Sequence, residues 1–328
     1  MALRLDGWAG EKAGTDPHKT QYYSLRFTPV KVAIVTTIRL LAVTVLYFIS
    51  FAVVSGALLA HVAPQPAPDE AGAAVQALLV VSLLNAAVWT YVILRARWTS
   101  WRLILTIFLV FYGVTTLMPQ IETAFFITGL PPGMLPRLFI AGAIIAAVFA
   151  PLSVLILGKA RADGRSGASW PSMSAGAWVA KLSLIVVVYV AIYFTFGYFI
   201  AWQSTAVRAY YGGHDPGNFF AQMASVLRDQ PSLVLLQVVR ALLWTAIALP
   251  VVRMMKGKWW EAGLAVALLF AVTSSQLLLP NPLMPYDVRM AHLLETATSN
   301  FLFGWLVVLI LRSLSTDYAD SLKRLSAI

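Results

Sequence analysis

Residues 292–311, HLLETATSNFLFGWLVVLIL, pass from a histidine and a glutamate into continuous apolar sequence with no turn residue between them. A helix needs about 20 largely apolar residues, at about 1.5 Å each, to cross the hydrocarbon core of a bilayer. The stretch therefore reads as one membrane helix, opening near Asp287 and closing near Arg312, that carries His292, Glu295 and Asn300 inward with it. An ionised carboxylate facing lipid at that depth costs about 2.5–3.5 kcal/mol even on lenient insertion scales. Glu295 is thus expected to face the bundle interior, an aqueous cavity or a cation.

The rest of the chain has the same character. Of 328 residues, 59% are hydrophobic and only 12% are charged, and the mean hydropathy is +0.77. A soluble domain of this length needs more surface charge, so the class is an integral membrane protein. Eight apolar spans are expected near 38–61, 73–95, 101–118, 137–157, 181–203, 232–252, 261–280 and 287–312. They are continuous runs rather than alternating segments of about ten residues, which selects helices over a barrel. The polar first 30 residues have no apolar h-region, so the first span is expected to stay as an anchor, with Thr28 and Pro29 opening its helix. The absence of cysteine excludes disulfides, thiolate metal sites and cysteine nucleophiles.

The net charge of +10 has a topological explanation. With a cytoplasmic N-terminus, all Lys and Arg except Arg137, Arg208, Arg228, Arg240 and Arg289 fall on inner segments. Asp69 and Glu70 lie on an outer loop without basic residues. This arrangement predicts a bacterial-type inner (plasma) membrane protein with both termini cytoplasmic, and it removes the charge as a sign of nucleic-acid binding. Trp98, Trp101, Trp178, Trp202, Trp259 and Trp260 near span ends suit interfacial belts.

Five echoes in chain order suggest an internal repeat. YFISF (47–51) resembles YFTFG (193–197), and LLNAAVWT (83–90) resembles VVRALLWT (238–245). Tryptophans with basic residues precede the third and seventh spans, LMP occurs at 117–119 and 283–285, and IETA (121–124) echoes LETA (294–297). Four spans per copy give both copies the same orientation, a parallel repeat with polar sites expected at its interface. The expected organisation is a polar cytoplasmic tail (1–30), a first four-helix repeat (31–157), a basic cytoplasmic linker (158–180), a second repeat (181–312) and a cytoplasmic C-terminal tail (313–328).

The candidate site follows from helix geometry. His292 and Glu295 share a face, Ser299 extends it, and Asn300 sits beside it. Arg240, with Gln237 three residues earlier, lies at similar depth in the sixth span and is the expected partner of Glu295; Arg289 is the other cation nearby. The repeat pairs Arg240 with Asn85 and Glu295 with Glu122. Glu122 falls on a short segment closed by Pro131, Pro132 and Gly133, expected as a re-entrant or interfacial helix near 119–130 at the outer face. The predicted cluster is Glu122, Arg240, His292 and Glu295, backed by Asn85, Gln237, Arg289 and Asn300.

The same groups also suit a buried ion-pair network that only docks the halves, a weak His-x-x-Glu metal set, or acid–base chemistry. His61 reads as interfacial, and Gly142 with Ala146 as a close-packing pair. His214 and Asp215 read as part of a turn-rich outer loop, with metal or substrate binding as the alternative. Phosphate-loop, dinucleotide, HExxH and GxSxG motifs are absent, and Glu122 lacks the double glutamate of intramembrane abortive-infection-type proteases. The leading expectation is a transport or binding protein for a small or lipid-like solute, without a cofactor or resident metal, in contact with the lipid bilayer. An integral membrane enzyme and an assembly subunit are the alternatives, and an oligomer or membrane-protein partner is left open.

Overall fold

The computed structural model describes residues 29–62, 71–127, 129–161, 173–213, 215 and 217–325, with backbone alone beyond Arg312. Thr28, Asp69, Glu70 and His214, and residues 162–172 of the basic linker, lie outside the described residues. Two units are distinguished, Met1–Thr37 and Ile38–Ile328. The described part of the first is the start of α1, and the remaining helices belong to the second.

Among the described residues the chain is almost entirely helical, and eight helical stretches are long and apolar enough to cross a membrane. The first two are α1 (Pro29–Leu59) and α2 (Ala71–Arg95). The third span joins α3 (Ser100–Tyr112) to α4 (Met118–Phe126) through a π-helical turn at Gly113–Leu117. The fourth is α5 (Met134–Ile156), and the fifth is α6 (Ala175–Phe196), which ends in a second π turn at Gly197–Ala201. Two short helices, α7 (Thr205–Tyr210) and α8 (Phe219–Asp229), precede the sixth span, α9 (Pro231–Met254). The seventh is α10 (Trp259–Val272) with a 3₁₀ end at Thr273–Leu278, and the eighth opens α11 (Tyr286–Leu325). Large apolar side chains such as Ile38, Leu105, Leu155, Val187 and Leu235 are exposed along these helices, as contact with lipid requires.

Several expectations are corrected. The segment near 119–130 is not a separate re-entrant helix: Ser100–Phe126 is one continuous stretch. The π turn adds a residue to the helical ladder instead of ending it, and Pro119 sits in the first turn of α4, where its missing N–H is tolerated. The eighth helix does not stop at Arg312, since its backbone stays helical to Leu325. Trp98 is buried beneath the Arg102 guanidinium, which lies 3.9 Å from its ring centroid, so it does not face lipid, while Trp202 is half-buried and stacks on Tyr211. Trp101, by contrast, is 71% exposed. The LMP and ETA echoes do not pair equivalent elements either. Glu122 ends the third span, whereas Glu295 lies inside the eighth.

Each run of four consecutive spans buries its own aromatic cluster. Tyr47, Trp89, Phe111 and Phe149 come from the first to the fourth span, with Phe111 and Phe149 centroids 4.7 Å apart. Tyr189, Trp244, Phe270 and Phe303 come from the fifth to the eighth, with Trp244 and Phe270 4.3 Å apart. Such ring pairs each add about 0.5–1.5 kcal/mol beyond their burial.

At one end of the bundle the turns after α2 and α9 form an antiparallel bridge. Arg97 N–H donates to the Met254 carbonyl at 2.6 Å, and Lys256 N–H to the Arg95 carbonyl at 2.8 Å. Arg95 pairs with Glu261, and Lys159 Nζ donates to the Ala96 carbonyl at 2.7 Å. This basic end is closely knit. Toward the opposite end, Gly142 allows α5 to approach the π turn, where any Cβ would collide with Thr116. The small residue there has the packing role its pattern predicts.

Candidate functional site

The irregular turns at the end away from the basic bridge surround the buried polar residues. The π turn at Gly113–Leu117 leads directly into the helix bearing Glu122. The second begins at Gly197, where an added Cβ would lie 3.6 Å from Glu295 Oε1. The start of this turn on the fifth span thus lies against the carboxylate of the eighth. The first of these turns re-aims side chains without ending its helix, and the second closes the fifth span.

Glu122, Tyr189, Ile192, Tyr193, Arg240, Glu295, Thr296, Ser299 and Asn300 line one small, partly open cavity. Arg240 is 4% exposed and pairs with Glu122 at 2.5 Å, while Glu122 keeps 30% of its side-chain surface accessible. The same Arg240 nitrogen donates to Gln237 Oε1 at 2.9 Å, and the guanidinium carbon lies 5.9 Å from the ring centroids of both Tyr189 and Tyr193. His292 Nδ1 is 2.8 Å from Glu295 Oε2, and its Nε2 is 3.2 Å from the Tyr211 hydroxyl. The cavity has room for a water molecule, far less than a drug-sized or lipid-like solute occupies.

Glu122, Arg240, His292 and Glu295 thus meet, with Gln237 behind the arginine and Asn300 on the cavity wall. The ion partner of Arg240 is Glu122, whereas Glu295 was the expected one; the unbroken third span carries Glu122 to the arginine, and Glu295 bonds to His292 on its own helix. Arg289 turns elsewhere, donating to the carbonyls of Leu277, Leu279 and Met284, where the 3₁₀ end of the seventh span leaves acceptors. Asn85 also lies apart, its Nδ2 donating to Val81 O at 2.9 Å and to Ser275 Oγ at 3.1 Å. Asp215 accepts from Gly217 N–H within its turn. No group of three or more His, Asp or Glu suited to holding a metal occurs among the described residues.

The sequence reading missed Tyr189, Tyr193, Gly197 and Tyr211. The first three were legible, since spacings of four place Tyr189 and Tyr193 on one face of α6 and Gly197 at the turn that follows it. Tyr211 follows α7 in a loop and has no periodic signal. It is held by Phe126 at 6.1 Å and Trp202 at 6.4 Å between ring centroids. Burial pushes its phenol well above the ordinary tyrosine range, with Tyr210, Glu122 and Glu295 adding to the effect, so it stays protonated as a donor.

No protein-family model matches this chain, and no curated protein or solved structure is significantly similar to it. Function is therefore read from the chemistry of the site itself.

Proposed function

We propose that this multi-pass membrane protein is a transport or binding protein whose polar site takes up a proton or a small inorganic cation, with Glu295 as the acceptor. The observation that carries this reading is the charge count within one cavity. Two carboxylates, Glu122 and Glu295, face a single permanent cation, Arg240. A buried carboxylate in excess requires a proton or a cation. His292 can supply the former, and a water-sized cavity suits the latter better than an organic solute. Arg240 Nε and Gln237 Nε2 are buried N–H donors without a hydrogen-bond partner, which supports a water molecule as an acceptor beside them.

The basic residues at the bridged end support placing that end, and both termini, at the cytoplasmic face, with the site opening outward. The paired aromatic clusters support two parallel four-helix copies meeting at the site. One observation favours a second reading as a structural lock: the Glu122–Arg240 pair joins the third span to the sixth, across the two halves.

Thermal unfolding in detergent across a pH series and with Li⁺, Na⁺ and K⁺ separates the two. A bound cation at a hundredfold its dissociation constant stabilises by about 2.7 kcal/mol. The wild type should respond to protons or to one of these ions, and Glu295→Gln should fold but lose the response. A wild type indifferent to all of them supports the lock.

A further inference from the structure

We infer that Tyr211 and His292 form the path by which a proton reaches Glu295 from the aqueous layer at the site end; this rests on the cation-acceptor reading above. The chain of contacts is continuous. Tyr211 is half-buried in the loop after α7, and its hydroxyl lies 3.2 Å from His292 Nε2. His292 Nδ1 lies 2.8 Å from Glu295 Oε2, and Glu295 lines the cavity. A phenol, an imidazole and a carboxylate are thus linked in order from loop to membrane interior, each group able to pass on the proton it receives. The two ring nitrogens face different partners, so the imidazole bridges them instead of ending the chain.

The other groups around the path leave this route in place. Glu122 of the third span is committed to Arg240 of the sixth. Tyr189 and Tyr193 of the fifth lie by that guanidinium and line the cavity beyond Glu295. Tyr210 turns away to donate to the Leu283 carbonyl at 2.7 Å, and Arg289 is directed to backbone carbonyls.

Transfer balances with water as the source. The Tyr211 O–H bond breaks as its proton passes to His292 Nε2, while the same oxygen takes a proton from a hydronium ion, so no phenolate forms. The resulting imidazolium then loses its Nδ1 proton to Glu295 Oε2. One proton has moved from water to Glu295. Tyr211 is restored, and the imidazole is left as the other tautomer, reset by rotation of its ring. The intact Trp202 and Phe126 packing around Tyr211 keeps the hydroxyl in position through each cycle.

Infrared difference spectra after a pH jump, recorded on the full-length protein in lipid nanodiscs, test the route. The protonated-carboxyl band of Glu295 is assigned by its loss in Glu295→Gln. Tyr211→Phe keeps the ring and its packing but removes the hydroxyl. Its band should reach the wild-type amplitude about 10²-fold more slowly, at the lower end of the usual contribution of a positioned acid–base group. His292→Gln should slow it similarly. A Tyr211→Phe protein that equilibrates at the wild-type rate overturns the path while leaving the acceptor reading intact. So does an altered final amplitude, because Tyr211 would then set the affinity rather than feed it. If no band titrates that Glu295→Gln removes, the acceptor reading itself falls.

Discussion

Two buried polar clusters, one joining the second, third and seventh spans and one joining the third, sixth and eighth, differ in charge. In one, Asn85 of the second span, fully buried, bonds to Ser275 at the end of the seventh, and the neighbouring Gln276 donates to the Thr115 carbonyl of the third at 3.2 Å. In the other, Arg240 of the sixth span bonds to Glu122 at the end of the third, and His292 and Glu295 join from the eighth. The neutral set fastens helices with uncharged amide and hydroxyl groups, and although Asn85 Oδ1 is left without a partner, a neutral group costs less to bury than a charge. The charged set meets a desolvation penalty that simple fastening does not require. Its excess carboxylate is what supports the proposed role as a cation acceptor.

The largest expected effect breaks the charged cluster. Arg240→Leu strands Glu122 and should cost about 3–5 kcal/mol, read as lost resistance to unfolding in detergent. Adding Glu122→Leu should return much of that loss, and an unimproved double variant would mean that the two side chains do not compensate each other. Converting the neutral cluster comes next. Asn85→Asp places an uncompensated carboxylate among neutral groups and should cost about 2.5–3.5 kcal/mol if the residue stays ionised. A pH-independent stability for this variant would show that the first cluster already contains a cationic partner.

Removing the neutral contact should matter less. Asn85→Ala should lower stability by about 0.6 kcal/mol and at most about 1.7, the range of interhelical hydrogen bonds in membranes. A loss as large as that of Arg240→Leu would erase the distinction between the clusters. Gly197→Ala is the smallest change, because the added Cβ would make ordinary contact with Glu295 Oε1 at 3.6 Å. Both stability and the cation response should stay near wild type, whereas Gly197→Leu should suppress the response by displacing the carboxylate. Retention of the response in Gly197→Leu would show that the π turn does not position the acceptor.

The sequence by itself determined the class and the helical form. Bilayer thickness and the need to pair every backbone N–H and C=O leave few solutions for apolar runs such as 137–157. It also determined that Glu295, Arg240 and Glu122 had to find polar surroundings, since their charge is costly in hydrocarbon wherever the helices pack. His292 and Glu295 were legible as a pair because three residues apart on a helix is a local relation. The tertiary structure alone decided which carboxylate faces Arg240. That choice depends on an added residue in the π turn at Gly113–Leu117, which keeps the third span helical through Pro119 and carries Glu122 to the sixth. It likewise decided that Asn85 belongs to a different cluster and that Tyr211 returns from a loop to His292. Periodicity specifies a residue's face on its own helix, but the neighbour of that face is set by packing between elements distant in the chain.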